Sequence, residues 1–145
     1  MSSRDREVLL VEDSPGDVML VREAMSALAV TSRLHVVGDG AEALQFLGGE
    51  DEYAGAPNPD LILLDLNLPV MDGREALQNI KQHPQWKRIP VAVLSTSDSE
   101  EDIASSYDLL AACYIVKPMD IQSFREVIRA IDDFWLSVVR FPSKH

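Results

Sequence analysis

Charged and hydroxyl residues follow four of the apolar runs in this sequence, where each run ends. They are Glu12 and Asp13 after residues 8–11, Asp65 after residues 61–64, Ser95 and Thr96 after residues 91–94, and Lys117, which precedes Pro118, after residues 114–116. A carboxylate at the end of a buried segment is costly unless another group compensates its charge. Several of these side chains are therefore expected to meet at one site.

Carboxylates that lie close together repel one another, so one of them must hold a proton unless a cation joins them. Mg²⁺ suits a shallow oxygen site because it takes few carboxylates and keeps several waters. We predict Asp13 and Asp65 as direct ligands, Glu12 as a ligand through water, and the backbone carbonyl of Asn67 as a further ligand. Lys117 and Ser95 supply a cation and a hydroxyl donor, which are the groups needed around a phosphoryl group.

Each of these residues also has an ordinary structural explanation. Acidic residues after a strand often cap the next helix, Asp65 could be a turn residue, and Lys117 could be an exposed lysine. Ser95 could belong to a capping cluster for the helix that follows it. Their joint occurrence at successive strand ends is what favours a functional site.

The elements that must position these residues alternate along the chain. Hydrophobic patterning predicts strands at 8–11, 34–37, 61–64, 91–94 and 114–116, and helices at 17–28, 42–47, 74–82, 100–110 and from about 120 onward, with a loop at 48–59. Strands that are apolar throughout indicate a parallel sheet covered on both faces, hence an α/β, doubly wound fold. In such sheets, functional groups gather at the carboxyl ends of the strands.

Composition limits the function classes. The chain has 145 residues, of which 46% are hydrophobic, so we expect one domain spanning residues 1–145 with its core at about 7–134. The formal charge of -11 disfavours binding to nucleic acid. The single cysteine, Cys113, excludes an internal disulfide and is expected to be a buried structural thiol. No apolar stretch is long enough to cross a membrane, so a cytoplasmic protein is expected.

The sequence resembles the receiver domains of two-component response regulators over residues 7 to about 134. The matching motifs are Glu12-Asp13, Asp65-x-Asn67-x-Pro69-x-x-Asp72-Gly73, Ser95 and Lys117-Pro118. The resemblance implies a flavodoxin-like, five-stranded sheet of order 2-1-3-4-5. It also implies that Asp65 accepts a phosphoryl group from the phosphohistidine of a sensor histidine kinase. Mg²⁺ would be held by Glu12, Asp13, Asp65 and the Asn67 carbonyl, and Lys117 would pair with the phosphoryl oxygens.

The resemblance also implies a switch. Ser95 would move toward the phosphoryl group and draw Tyr114 inward, and a cis peptide bond is expected between Lys117 and Pro118. The flanking positions, Asn67 and Ser97, are where the family tunes autodephosphorylation, and Thr96 lies beside the site. The loop at 48–59 is longer than in minimal receivers, which leaves its path open.

From Ile121 onward, apolar residues recur at helical spacing over about five turns. This predicts an extended C-terminal helix, with residues 135–145 beyond the core and no output domain after it. Its distal apolar residues either pack on this domain or form a homodimer contact; they are Phe134, Trp135, Val138 and Phe141. The extension and the long loop resemble the single-domain regulators of bacterial and cyanobacterial phytochromes, so a bacteriophytochrome is one expected kinase.

The leading hypothesis is a phosphoacceptor that signals by protein contact or relays the phosphoryl group through a histidine phosphotransfer protein. An aspartate-nucleophile phosphatase is the alternative from the enzyme class, but such enzymes need a second aspartate where this chain has Asn67. A pseudo-receiver that acts only as a binding module is disfavoured, because the acidic, hydroxyl and lysine positions are all present.

Overall fold

The computed structural model describes residues 6–28 and 32–133, and these residues form a sheet of five parallel strands covered by helices on both faces. The strands are β1 (Arg6–Val11), β2 (Ser32–Val37), β3 (Leu61–Leu64), β4 (Val91–Ser95) and β5 (Cys113–Val116). Their spatial order is β2-β1-β3-β4-β5. The doubly wound α/β fold and the expected strand order are therefore confirmed.

The helices alternate with the strands. They are α1 (Pro15–Ser26), α2 (Gly40–Gly48), α3 (Gly73–Gln82), α4 (Glu100–Asp108) and α5 (Ile121–Ile131). Helix α1 begins two residues before its predicted start, because Ser14 caps it and Pro15 fits the first helical position. The predicted loop at 48–59 contains a short 3-10 helix, Asp51–Tyr53. The predicted extension at 135–145 lies outside the described residues and stays a prediction.

Both faces of the sheet are buried, which explains why its central strands are apolar throughout. On one face, strand residues such as Leu9 and Ile62 pack with Phe46 of α2 and Leu77 of α3. Residues of the opposite face alternate with these along the strands and pack against α1 and α5; they include Val8, Leu10, Leu61, Leu63, Ala92, Leu94, Val21, Phe124 and Ile128. This period of two follows from the pleat of the strands.

Every α-helix described here begins with a side-chain cap close to the edge where the strands end. The capping residues are Ser14, Asp39, Asp72, Ser99 and Asp120, each of which accepts a hydrogen bond from a backbone amide in the first helical turn. Such a cap contributes about 1 kcal/mol. The caps therefore set where each loop ends, and the loops at this edge carry the candidate site.

The single cysteine and the absence of a long apolar stretch were the other features of the sequence with structural consequences. Cys113 is half-buried, and burial raises the pKa of its thiol to about 11, so the thiol is protonated at neutral pH. That state fits a structural cysteine rather than a nucleophile. Across residues 6–28 and 32–133, no helix combines the length and the hydropathy that crossing a bilayer requires.

Candidate functional site

The pairing of β1 with β3 places two carboxylates side by side. Val11 is aligned with Leu64 at the ends of these strands. The backbone amide of Asp65 donates to the carbonyl of Val11 at 3.1 Å, which holds the residue after β3 against the end of β1. Because Glu12 is the residue after β1, it lies next to Asp65 at the same edge.

Glu12, Asp13 and Asp65 form the acidic cluster that the sequence predicted. Each offers a carboxylate oxygen, and these oxygens lie within 4.8 Å of one another. Glu12 and Asp65 are buried, with 3% and 6% of their surfaces exposed, whereas Asp13 is exposed. Burial, reinforced by the charge of Asp65, raises the pKa of Glu12 to about 7 even though Lys117 opposes the shift.

Lys117 reaches this cluster from β5, which lies two strands away from β3. Its Nζ is 2.6 Å from an oxygen of Glu12 and 3.0 Å from Oδ2 of Asp65. Burial alone would lower the pKa of Lys117, but its hydrogen bonds to carboxylates outweigh burial and raise the pKa above its ordinary value. The ammonium therefore stays charged. Ser95, at the end of the intervening strand β4, is fully buried.

A third carboxylate on Lys117 was missed by reasoning from the sequence. Oδ2 of Asp17 lies 2.8 Å from Nζ of Lys117, and the Asp17 side chain is 30% exposed. Hydrophobic patterning identifies Asp17 only as the start of the helix predicted at 17–28. The signal that could have identified it is its place in the first turn after β1, since the first turn of such a helix stays close to the carboxyl end of the strand.

The two oxygens of Asp65 have different partners. Oδ1 accepts a hydrogen bond from the backbone amide of Asn67 at 3.0 Å, and Oδ2 accepts one from Lys117. Asn67 is exposed, and a role for its carbonyl as a metal ligand stays a prediction. The amide of Gly73 donates to the carbonyl of Leu66 at 2.9 Å, which folds the loop after β3 back on itself.

Ser95, Ser97 and Tyr114 are linked through hydrogen bonds. The Ser95 hydroxyl accepts from the amide of Ser97 at 3.2 Å, and the hydroxyl of Tyr114 donates to the carbonyl of Ser97 at 2.8 Å. Tyr114 is half-buried and packs against the core, whereas Thr96 is exposed. The segment after β4 is thereby joined to β5. A movement of Ser95 and Tyr114 on phosphorylation stays a prediction.

The prediction of a cis peptide bond between Lys117 and Pro118 is wrong, because none of the peptide bonds in the described residues is cis. A trans bond before proline is intrinsically favoured by about 0.5–1 kcal/mol. The site does not require the cis form here. The Lys117 amide donates to the carbonyl of Ser95 at 2.7 Å, and its ammonium reaches Glu12 and Asp65 with the trans bond.

The proposed dimer residues fall outside the described part of the chain. They are Phe134, Trp135, Val138 and Phe141. Their contact with a second chain stays a prediction from the sequence pattern.

Comparison with known proteins identifies relatives over nearly the whole chain. The family model of the response regulator receiver domain matches residues 8–129. Response regulator Rcp1 of Synechocystis sp. is 44% identical over 142 residues, which cover 98% of this chain and 97% of Rcp1. This is the family that the motifs Glu12-Asp13 and Lys117-Pro118 resemble.

Solved structures agree with this result. The phosphorylated cyanobacterial phytochrome response regulator RcpA is 48% identical, with a TM-score of 0.92 over 97% of this chain and 100% of that chain. The Mn²⁺-bound form of Rcp1 is 44% identical, with a TM-score of 0.89 over 95% and 99% of the two chains. The acidic cluster of this chain fits binding of a divalent metal. The chain belongs to the response regulator receiver domain family, whose members are signalling phosphoacceptors.

Proposed function

We propose that Asp65 accepts a phosphoryl group from the phosphohistidine of a sensor histidine kinase, in a reaction that needs Mg²⁺. The observation that supports this assignment is the setting of Asp65. Its buried carboxylate lies 3.0 Å from the charged ammonium of Lys117 and shares a cluster with Glu12 and Asp13. The phosphorylated chain then signals through contact with another protein.

The phosphoryl transfer forms one bond to phosphorus and breaks another. A carboxylate oxygen of Asp65 attacks phosphorus, an oxygen–phosphorus bond forms, and the nitrogen–phosphorus bond of the donor breaks. The electron pair of the broken bond stays on the imidazole nitrogen, which takes up a proton. Lys117 pairs with the equatorial oxygens of the phosphoryl group, and the hydroxyl of Ser95 donates to one of them.

The donor set fits a hard divalent cation. Three carboxylates lie together beside a single ammonium, so the cluster keeps excess negative charge, and the exposed side of Asp13 leaves room for metal-bound water. Glu12, Asp13, Asp65 and the carbonyl of Asn67 would hold the ion. Mg²⁺, when bound, would offset the repulsion between the carboxylate and the incoming phosphoryl group.

The proposed lifetime of the signal is limited by autodephosphorylation. An aspartyl phosphate is a mixed anhydride that water can cleave, so no separate hydrolase is required. Asn67 and Ser97 flank the acceptor and are the residues proposed to tune that rate. Thr96 and Pro118 are proposed to border the site.

The proposed kinase is a phytochrome, which acts in the cytoplasm where its ATP is available. The support is similarity, since RcpA is described as a cyanobacterial phytochrome response regulator. Direct transfer from the phytochrome to Asp65 does not require a histidine phosphotransfer protein. Such a protein is proposed instead as an onward acceptor of the phosphoryl group. A purified phytochrome kinase that loses its phosphoryl group to this chain, but not to Asp65→Asn, would support the pairing.

A homodimer is also proposed, through Phe134, Trp135, Val138 and Phe141. The support is the helical spacing of these apolar residues in the sequence. Sedimentation velocity of the unmodified chain and of Trp135→Ala tests it. A dimer that becomes a monomer in the variant is expected, and two monomeric proteins would contradict the proposal.

The phosphatase alternative is disfavoured by the residue two positions after the acceptor. Asn67 has no carboxyl group to act as a general acid or base there. The alternative of a pseudo-receiver is disfavoured because Asp65, Lys117 and Ser95 are all present at the edge where the strands end.

The decisive experiment measures the intact mass of the chain after incubation with acetyl phosphate and Mg²⁺. The mass of the unmodified chain should rise by one phosphoryl group, and Asp65→Asn should abolish the rise. Asp108→Asn is the matched control, because Asp108 is an exposed carboxylate at the end of α4. Equal labelling of Asp65→Asn and the control would refute Asp65 as the acceptor.

A further inference from the structure

The ammonium of Lys117 has three N–H bonds, and three carboxylates surround it. The distances from Nζ are 2.6 Å to Glu12, 2.8 Å to Asp17 and 3.0 Å to Asp65. Only 6% of the Lys117 side chain is exposed, so water supplies little of its hydrogen bonding. Each carboxylate can therefore accept a hydrogen bond from one of the three N–H groups of the ammonium.

Two of these three partners, Asp65 and Glu12, are members of the acidic cluster, and Asp65 is also the proposed acceptor. Once Asp65 carries a phosphoryl group, the charge of its carboxylate is replaced by that of the phosphoryl group, and one of its oxygens becomes part of the acyl phosphate linkage. Glu12 is a candidate ligand for the divalent ion. Asp17 is not a member of the metal-binding group found among the described residues. The hydrogen bond between Asp17 and Lys117 is therefore the one that neither phosphorylation of Asp65 nor metal binding by Glu12 needs to break.

Asp17 is held in place by its own helix. Its backbone amide donates to the hydroxyl of Ser14, the capping residue of α1, at 3.3 Å. A carboxylate in the first turn is also favoured by the positive end of the helix dipole. Helix α1 packs against α5 on one face of the sheet. The backbone that carries the Asp17 side chain is therefore held by α1 and its packing, and none of these contacts involves Asp65.

We infer that Asp17 is a positioning residue, which keeps the ammonium of Lys117 at the acceptor while Asp65 receives its phosphoryl group. This inference rests on the proposed function of Asp65. A lysine side chain has four flexible carbon–carbon bonds, so the ammonium can take several positions while its bonds to Glu12 and Asp65 change, and the bond to Asp17 restricts them. Asp17 touches neither the acceptor nor the donor directly; it acts through Lys117.

The test compares phosphorylation of the unmodified chain, Asp17→Asn, Asp17→Glu and Glu23→Gln with acetyl phosphate and Mg²⁺. Glu23→Gln is the matched control, because Glu23 lies on the same helix and pairs with Arg125 at 2.6 Å, away from the site. The rate constant at saturating donor should fall about tenfold in Asp17→Asn, since misplacing a group by about 1 Å costs up to roughly a hundredfold. The concentration of acetyl phosphate that gives half of the maximal rate should change little in Asp17→Asn. Asp17→Glu should restore part of the rate, and Glu23→Gln should match the unmodified chain.

A second measurement needs neither metal nor phosphoryl donor. In the metal-free protein, the ¹⁵Nζ resonance of Lys117 should report slow hydrogen exchange, which Asp17→Asn should accelerate and Glu23→Gln should not. A general loss of folding would instead lower the melting temperature and move resonances throughout α1.

The outcomes separate the two proposals. No mass increase in the unmodified chain would refute the proposed function and this inference with it. An increase in the unmodified chain with an equal rate in Asp17→Asn would refute the inference alone. A faster rate in Asp17→Asn would also refute it, because Asp17 would then compete with the phosphoryl group for Lys117.

Discussion

A Cβ atom at Gly73 would lie 2.3 Å from the backbone carbonyl oxygen of Asp65. The same atom would lie 2.6 Å from the Cα of Leu66. Both contacts are with backbone, which cannot turn aside as a flexible side chain can. The first residue of α3 thus packs directly on the segment that carries the proposed phosphoacceptor, and its lack of a side chain is a requirement of that packing.

Gly73→Ala should therefore destabilise the protein by about 1–3 kcal/mol, as over-packing of a buried contact does. It should also slow phosphorylation, because the backbone of Asp65 must shift to admit the methyl group. Chemical denaturation and intact mass measure the two effects. Gly16→Ala is the control, since Gly16 is exposed in α1 and its nearest contact would be 3.9 Å from the Cβ. Equal stability of Gly73→Ala and the unmodified chain would contradict this close approach.

Binding of Mg²⁺ should stabilise the folded chain, because the acidic cluster exists only when β1 and β3 are paired. The gain should approach about 2.7 kcal/mol at a hundredfold excess over the dissociation constant. Asp13→Asn should lose most of this gain while leaving the metal-free stability nearly unchanged, because Asp13 is exposed. Melting curves with Mg²⁺ and with a chelator measure the difference. Asp108→Asn should respond to Mg²⁺ as the unmodified chain does, and a full response in Asp13→Asn would argue against its role as a ligand.

The pH dependence of stability should contain a contribution from Glu7 in β1. Burial alone would raise the pKa of Glu7, but its bonds to His35 at 2.8 Å and to Nε of Arg33 at 3.1 Å outweigh burial, and its pKa falls below the ordinary 4.5. A lowered pKa in the folded state means that the stabilisation is fully present above pH 4.5. It is lost as the pH falls through the lowered pKa.

Glu7→Gln should accordingly cost about 2 kcal/mol at neutral pH, the usual contribution of hydrogen bonds to charged groups. The difference in unfolding free energy between the two proteins should shrink as the pH falls below 4.5, because Glu7 then becomes protonated in the native protein. Denaturant titrations below that pH measure it. A difference that grows as the pH falls below 4.5 would show that the sign is wrong.

Tyr114→Phe should loosen the segment after β4 with little effect on global stability. The variant removes the 2.8 Å hydrogen bond to the carbonyl of Ser97, which is worth about 0.5–1.5 kcal/mol. Hydrogen exchange of residues 96–99 should accelerate. Tyr53→Phe is the control, because the hydroxyl of Tyr53 bonds to Glu42 in another part of the domain. Unchanged exchange at residues 96–99 would mean that this hydrogen bond does not restrain them.

Much of the fold could be predicted because its signals are local. Four-residue apolar runs such as Leu61–Leu64, bounded by turn residues, are typical of buried strands between helices. Capping residues such as Asp72 and Ser99 mark where the helices begin. Since parallel strands end at one edge, the same reasoning places Asp65 and Lys117 together, and the salt bridge between them confirms this.

The details of the site depended on contacts that no local pattern encodes. Asp17 and Lys117 are 100 residues apart, and their ion pair exists because α1 starts beside the end of β1 while Lys117 reaches across β4. The close approach of Gly73 to Asp65 and the trans bond before Pro118 are likewise products of packing.

Hydrophobic periodicity and capping act over a few residues, so they predict which residue types stand at each strand end. Which of these residues touch depends on the packed domain. Strand order, register and the reach of each side chain are set by the packing of the whole domain, and they assigned three carboxylates to the one ammonium of Lys117.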